Sequence, residues 1–172
     1  RMDNVDDDFD SGPPEDVFEP DSKGQMWWPE DWQPDPVEET IDVLIPALNE
    51  ERSLPRVLSE IPGDWVRRVV VVDNGSTDRT GDVARRGGAE VVREPQRGYG
   101  AACLAGLRHL SEDPPGIVTF MDADFSDFPE QLPRVVVPVS RGVADLCIGS
   151  RTVGARESGA LLPQARFGNR LA

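Results

Sequence analysis

From Ile41 onward, short apolar runs alternate with stripes of apolar residues at helical spacing. Ile41-Asp42-Val43-Leu44-Ile45 is a β-branched run ending at Pro46. Leu54, Val57, Leu58 and Ile61 then recur as one helical face, and Pro62-Gly63 stops it. Val69-Val70-Val71-Val72 predicts a second strand, followed by a turn and a short helix through Val83 and Ala84. Glu90-Val91-Val92 predicts a third strand, and Leu104, Leu107 and Leu110 lie on the helix after it. Ile117 to Met121 predicts a fourth strand, the segment through Leu132 and Val136 a helix despite Pro133 and Pro138, and Ala144 to Ile148 a fifth strand. Continuous apolar strands separated by helices predict an α/β fold, a mostly parallel sheet with helices on both faces. In such sheets ligands bind beyond the carboxyl ends of the strands, where the polar clusters of this chain fall.

The first 40 residues lack this pattern. They hold 14 Asp and Glu against Arg1 and Lys23, a net −12, whereas residues 41–172 hold 18 acids against 16 arginines, a net −2. An acidic, largely disordered tail over 1–40 and one domain over 41–172 is the expected organisation. Trp27, Trp28 and Trp32 fall in the tail. They read either as a docking strip for a partner or membrane surface, or, as favoured here, as an arm packed on the domain itself. The formal charge of −14 argues against nucleic-acid binding. An acid excess with one lysine also fits a high-salt organism, but the near-neutral domain weighs against that. No run of 18 apolar residues and no secretory-signal pattern occurs. Cys103 and Cys147 read as buried free thiols of a cytosolic protein.

The candidate chemistry begins with an exclusion. The first strand is followed by Pro46-Ala47-Leu48-Asn49-Glu50-Glu51 where a dinucleotide site needs glycines, and no P-loop lysine motif occurs. The second strand ends in Asp73-Asn74-Gly75-Ser76-Thr77-Asp78, a helix-capping turn or a place for Asp73 to accept hydrogen bonds from a uracil or guanine ring. The fourth ends in Met121-Asp122-Ala123-Asp124. Paired acids at the mouth of a buried strand repel unless a cation joins them, and hard ions such as Mg²⁺ or Mn²⁺ prefer oxygen ligands and nucleotide phosphates. Arg97-Gly98-Tyr99-Gly100-Ala101-Ala102 opens a helix with backbone N–H groups free to face a phosphate or sugar, or is simply a tight turn. Gly149-Ser150-Arg151, with Arg156, Arg166 and Arg170 beyond it, could grip a second phosphate. His109, the single histidine, sits late in a helix, where a cation suits the dipole, and is assigned no catalytic task.

Taken in order, Pro46-Ala47-Leu48-Asn49-Glu50, Val71 to Asp78, Arg97-Gly98-Tyr99-Gly100, Asp122-Ala123-Asp124 and Gly149-Ser150-Arg151 resemble the inverting family 2 glycosyltransferases of the GT-A fold. The likeness is nearest to the branch with dolichyl-phosphate mannose synthases and polyprenyl-phosphate glycosyltransferases. The resemblance implies transfer from a UDP- or GDP-linked sugar, with Mg²⁺ or Mn²⁺ as cofactor, to a lipid phosphate at the cytoplasmic membrane face. It implies that Pro46, Leu48, Glu50, Asp73, Gly100, Asp122 and Ala123 bind the nucleotide, and that Asp122 and Asp124 hold the metal. Asp124 and Arg151 would act in catalysis, and Arg151 and Arg166 would hold the acceptor phosphate. Some relatives place a metal-contacting glutamine two residues after the second aspartate, where this chain has Ser126 followed by Asp127. Two alternatives stay open: transfer to a soluble acceptor such as phosphoglycerate, and a non-catalytic nucleotide-sugar-binding module. Because relatives continue past the equivalent of Ala172, the chain is expected to be truncated at its carboxyl end.

Overall fold

The computed structural model describes Trp28 and residues 32–149. Four parallel strands form one sheet: β1 (Ile41–Ala47), β2 (Arg68–Asp73), β3 (Glu90–Arg93) and β4 (Ile117–Phe120). Their order is β3-β2-β1-β4. β1 pairs with β2 from Asp42↔Arg68 to Ala47↔Asp73, and with β4 from Ile41↔Ile117 to Leu44↔Phe120. The chain therefore steps outward from β1 through β2 to β3, then crosses back to the other side of β1. That reversal opens a crevice at the carboxyl ends of β1 and β4, the place where ligands bind in open α/β sheets.

The helices are α1 (Leu54–Glu60), α2 (Thr80–Arg86), α3 (Tyr99–Leu110) and α4 (Leu132–Ser140). Prolines stand in the first turns of α1 and α4, where a missing N–H loses no bond, and α4 ends two residues after Pro138. Alternation along the strands splits the core in two. Ile41, Val43, Ile45 and Val71 pack with Leu54 and Val57 of α1, Ala84 of α2 and Leu132 and Val136 of α4. Leu44, Val70 and Val72 pack on the other face with Ala102, Ala105 and Leu110 of α3. The expected sheet covered on both faces is present.

One reading of the pattern needs correction. The fifth strand does not form: Val143 and Ala144 turn their N–H groups back onto the Pro138 carbonyl at 2.9 and 3.2 Å. Beyond that turn Leu146 and Ile148 are 74% and 76% exposed, in a segment joined to no described strand. Strand propensity without a ladder partner makes no strand. On α3, Leu104 and Leu107 face outward, and the small residues Ala102, Ala105 and Gly106 meet the sheet instead. A Cβ at Gly106 would stand 2.8 Å from Leu44 Cγ and 3.0 Å from Val72 Cγ2, so only glycine lets this helix lie so close. Cys103 and Cys147 are free and half-buried rather than fully buried.

At the opposite end of the sheet, Asp42 is fully buried between two arginines. Arg67 reaches its two oxygens at 2.9 and 2.7 Å, and Arg68 donates to Oδ2 at 2.8 Å. Burial pushes the Asp42 carboxyl up, but the hydrogen bonds and charges of Arg67 and Arg68 outweigh it and hold it below its ordinary value. Residues ahead of β1 are tied to the domain as well. Val37 packs on the larger core and Ser140 donates to Glu39 at 2.6 Å, while Trp28 and Trp32 stack on each other with ring centroids 4.2 Å apart.

Candidate active site

Four loops leave the carboxyl ends of the strands, and side chains stitch the first three together. Asn49, in the loop after β1, has a left-handed backbone (φ 60°), a conformation asparagine tolerates better than most residues. Its N–H donates to Ser76 Oγ at 3.1 Å and its Oδ1 accepts from the Thr77 N–H at 2.8 Å. Glu50 N–H donates to Thr80 Oγ1 at 2.8 Å, and Glu51 N–H to Asp78 Oδ2 at 3.2 Å. These four hydrogen bonds clamp Asn49, Glu50 and Glu51, after β1, to residues 76–80, after β2. Asn74 performs the next link. Its amide donates to the carbonyls of Glu94 and Gln96 at 3.0 and 2.7 Å and accepts from Gly98 N–H at 2.7 Å, holding the loop that opens α3. Gly98 itself has φ 134°, where a side chain would be strained.

Asp73 ends β2 and is buried, 6% exposed. Ser76 N–H donates to its Oδ1 at 2.8 Å, the Arg93 guanidinium lies 3.9 Å from Oδ2, and Gly81 leaves room beside it, since a Cβ there would stand 3.2 Å from Oδ2. Pro46 is half-buried in β1, Leu48 is exposed just past its end, and half-buried Glu50 accepts a hydrogen bond from the Ser53 hydroxyl. Gly100 lies exposed in the first turn of α3.

Asp122, Ala123 and Asp124 follow β4. Ala123 is 4% exposed, while half-buried Asp122 and exposed Asp124 flank it, so both carboxylates sit on the side away from the core. Ser126 N–H donates to Asp124 Oδ1 at 2.9 Å, and Asp122 N–H to Asp127 Oδ2 at 3.0 Å. Tyr99, on α3, borders this loop. Its hydroxyl pairs with the Cys103 thiol, and burial, Cys103 and the Asp122 charge together raise its pKa. Burial is the main influence raising the Cys103 thiol in turn. No group of three His, Cys, Asp or Glu able to hold a metal occurs among the described residues. Two oxygen-donor carboxylates suit Mg²⁺ or Mn²⁺, which are commonly bound through one or two carboxylates with substrate phosphates completing the shell. His109, in the last turn of α3, pairs with Glu90 Oε2 at 2.7 Å, away from these loops. Arg151 and Arg166 lie outside the described residues.

The structure therefore brings Pro46, Leu48, Glu50, Asp73, Gly100, Asp122, Ala123 and Asp124 to one end of the sheet. Sequence reasoning missed the stitching residues Asn49, Thr80 and Asp78 and the linking role of Asn74. An Asn in a strand-end turn and a Ser-Thr-Asp run signal capping locally; that their partners lie 20 to 30 residues away follows only from the strand pairing.

The sequence profile of glycosyl transferase family 2 matches residues 42–170. The chain belongs to that family. An uncharacterized glycosyltransferase of Mycobacterium tuberculosis is 48% identical over 113 residues, 66% of this chain and 49% of that protein. Undecaprenyl-phosphate mannosyltransferase of Micrococcus luteus is 42% identical over 118 residues, covering 64% of this chain and 47% of the relative. Among solved structures, glucosyl-3-phosphoglycerate synthase from M. tuberculosis, in complex with Mn²⁺, UDP-glucose and phosphoglyceric acid, superposes with a TM-score of 0.54 at 32% identity. That match covers 61% of this chain and 40% of the synthase. The chain thus spans about half the length of the curated relatives just named. The fold is the GT-A arrangement of these neighbours, as the sequence motifs implied.

Proposed function

We propose that this chain carries the donor site of a metal-dependent, inverting glycosyltransferase that moves a sugar from a nucleotide-diphosphate sugar to a polyprenyl phosphate. The observation that carries the reading is the placement of Asp73 and the Asp122–Asp124 pair at the same, carboxyl end of the sheet, where Asn49 and Asn74 pin the loops after β1, β2 and β3 to one another. Asp73 is suited to accept N–H groups of a uracil or guanine ring, with Pro46, Leu48 and Glu50 beside it. Asp122 and Asp124 would hold Mg²⁺ or Mn²⁺, which when bound neutralises the charge of the leaving diphosphate. Ala123 and Gly100 leave space for the nucleotide, and Arg151 and Arg166 are proposed to hold the acceptor phosphate. A phosphate acceptor is already anionic at neutral pH, so the transfer does not demand a strong general base. The likeness to the undecaprenyl-phosphate mannosyltransferase supports this acceptor class. Such an acceptor places the reaction at a membrane surface. Among the described residues no helix is long and apolar enough to cross a membrane.

A second reading, transfer to a soluble phosphorylated acceptor, is supported by the likeness to the glucosyl-3-phosphoglycerate synthase. Radiolabelled donor separates the two. With Mn²⁺ and both acceptors offered, label moving into butanol supports the lipid phosphate, and label staying in water as a new anionic sugar supports the soluble one. Product in neither phase, with intact donor binding, would favour a non-catalytic binding module.

A further inference from the structure

The acidic loop after β4 faces a physical problem. It must carry two carboxylates on one side of buried Ala123, and their mutual repulsion favours splaying the loop open. Two bonds from backbone N–H groups to carboxylates close it. One is short-range, Ser126 N–H to Asp124 Oδ1 at 2.9 Å. The other spans five residues, Asp122 N–H to Asp127 Oδ2 at 3.0 Å, and therefore fixes the width of the loop. Between them Phe125 adopts a left-handed backbone (φ 62°), a conformation costing a non-glycine residue on the order of 1–2 kcal/mol. Its ring packs against the larger core, and the Arg56 guanidinium carbon lies 3.8 Å above it. Core packing therefore anchors the middle of the loop, and Asp127 ties its end back to its beginning.

We propose that Asp127 is a positioning residue, whose carboxylate fixes the backbone of Asp122 and thereby the spacing of Asp122 and Asp124 before any donor arrives. A carboxylate acceptor on a backbone N–H makes a stronger bond than a neutral one, so the Asp122 backbone is held firmly. The consequence for donor binding rests on the glycosyl-transfer reading above; the loop geometry does not. Partners that orient metal-binding residues typically change metal affinity by about 10- to 100-fold when removed.

The test compares Asp127→Asn, which keeps an oxygen acceptor, with Asp127→Ala, which keeps none, in the full chain. The first readout is hydrogen exchange at the Asp122 amide without metal or donor. The second is the Mn²⁺ concentration giving half-maximal thermal stabilisation by UDP-glucose and, separately, by GDP-mannose. The expected result for Asp127→Ala is faster exchange at Asp122 and about a tenfold higher Mn²⁺ requirement. Asp127→Asn should restore both to within a few-fold of the parent. If Asn is as damaging as Ala while the Asp122 amide stays protected, Asp127 acts as a metal ligand and the positioning role is overturned. Unchanged exchange in both variants overturns it as well. Should Asp127→Ala not fold, slow Asp122 exchange in Asp127→Asn together with fast exchange in Asp127→Leu decides the point. If the parent binds neither donor, the functional reading fails while the exchange result still stands or falls alone.

Discussion

Asn74 spends its whole side chain on the loop ahead of α3, donating to two carbonyls and accepting from Gly98. Removing one member of a buried hydrogen-bonded set leaves its partners unsatisfied, at about 1–3 kcal/mol. Asn74→Ala should therefore lower stability by about 2 kcal/mol in urea unfolding and raise the donor KM, because Gly100 and Tyr99 hang from the same loop. Asp124→Ala should behave differently. Asp124 is exposed at the surface of its loop, so its loss should leave stability within about 1 kcal/mol. Transfer, read by radiolabelled product, should fall at least about a hundredfold, since the proposed role concerns charge developing in the transition state.

The elements explain why the site was legible in part. Strand ends can be read from apolar runs, and in a parallel sheet strand ends are where the chemistry gathers; hence Asp73 and Asp122 could be placed before any coordinates. The inward face of α3 could not. Of its leucines only Leu110 is buried, because close approach to β1 selects Gly106 and the alanines, and a glycine's value in such packing leaves no hydrophobic signal. Gly106→Ala should destabilise the chain by about 1–3 kcal/mol, the usual range for overfilling a packed interface, with a matching fall in thermal midpoint. The fifth strand failed for a related reason: the sequence carries propensity, whereas a strand also needs an edge to pair with. Asp42 shows the same limit, being an acid within an apolar run whose partners, Arg67 and Arg68, lie at the start of the next strand.

For the whole molecule, those contacts divide the sheet into a stabilising end and the end where donor binding is proposed. The Asp42 carboxyl is depressed in the folded chain, so its contribution is fully present above the ordinary value of 3.8 and disappears as pH falls through the lower folded value. Asp42→Asn should be less stable than the parent by roughly 2–3 kcal/mol at pH 7, and the gap in thermal midpoint should narrow below about pH 4. The proposed binding is tested by ligands. Thermal unfolding of the full chain, titrated with UDP-glucose, GDP-mannose and their free diphosphates with and without Mn²⁺, addresses the central claim most directly. A ligand bound only by the folded state stabilises it by about 2.7 kcal/mol at a hundredfold excess over its dissociation constant. The account predicts a Mn²⁺-dependent rise in midpoint with donors of one base and none after Asp124→Ala. An unchanged midpoint with every donor, with and without Mn²⁺, would contradict it.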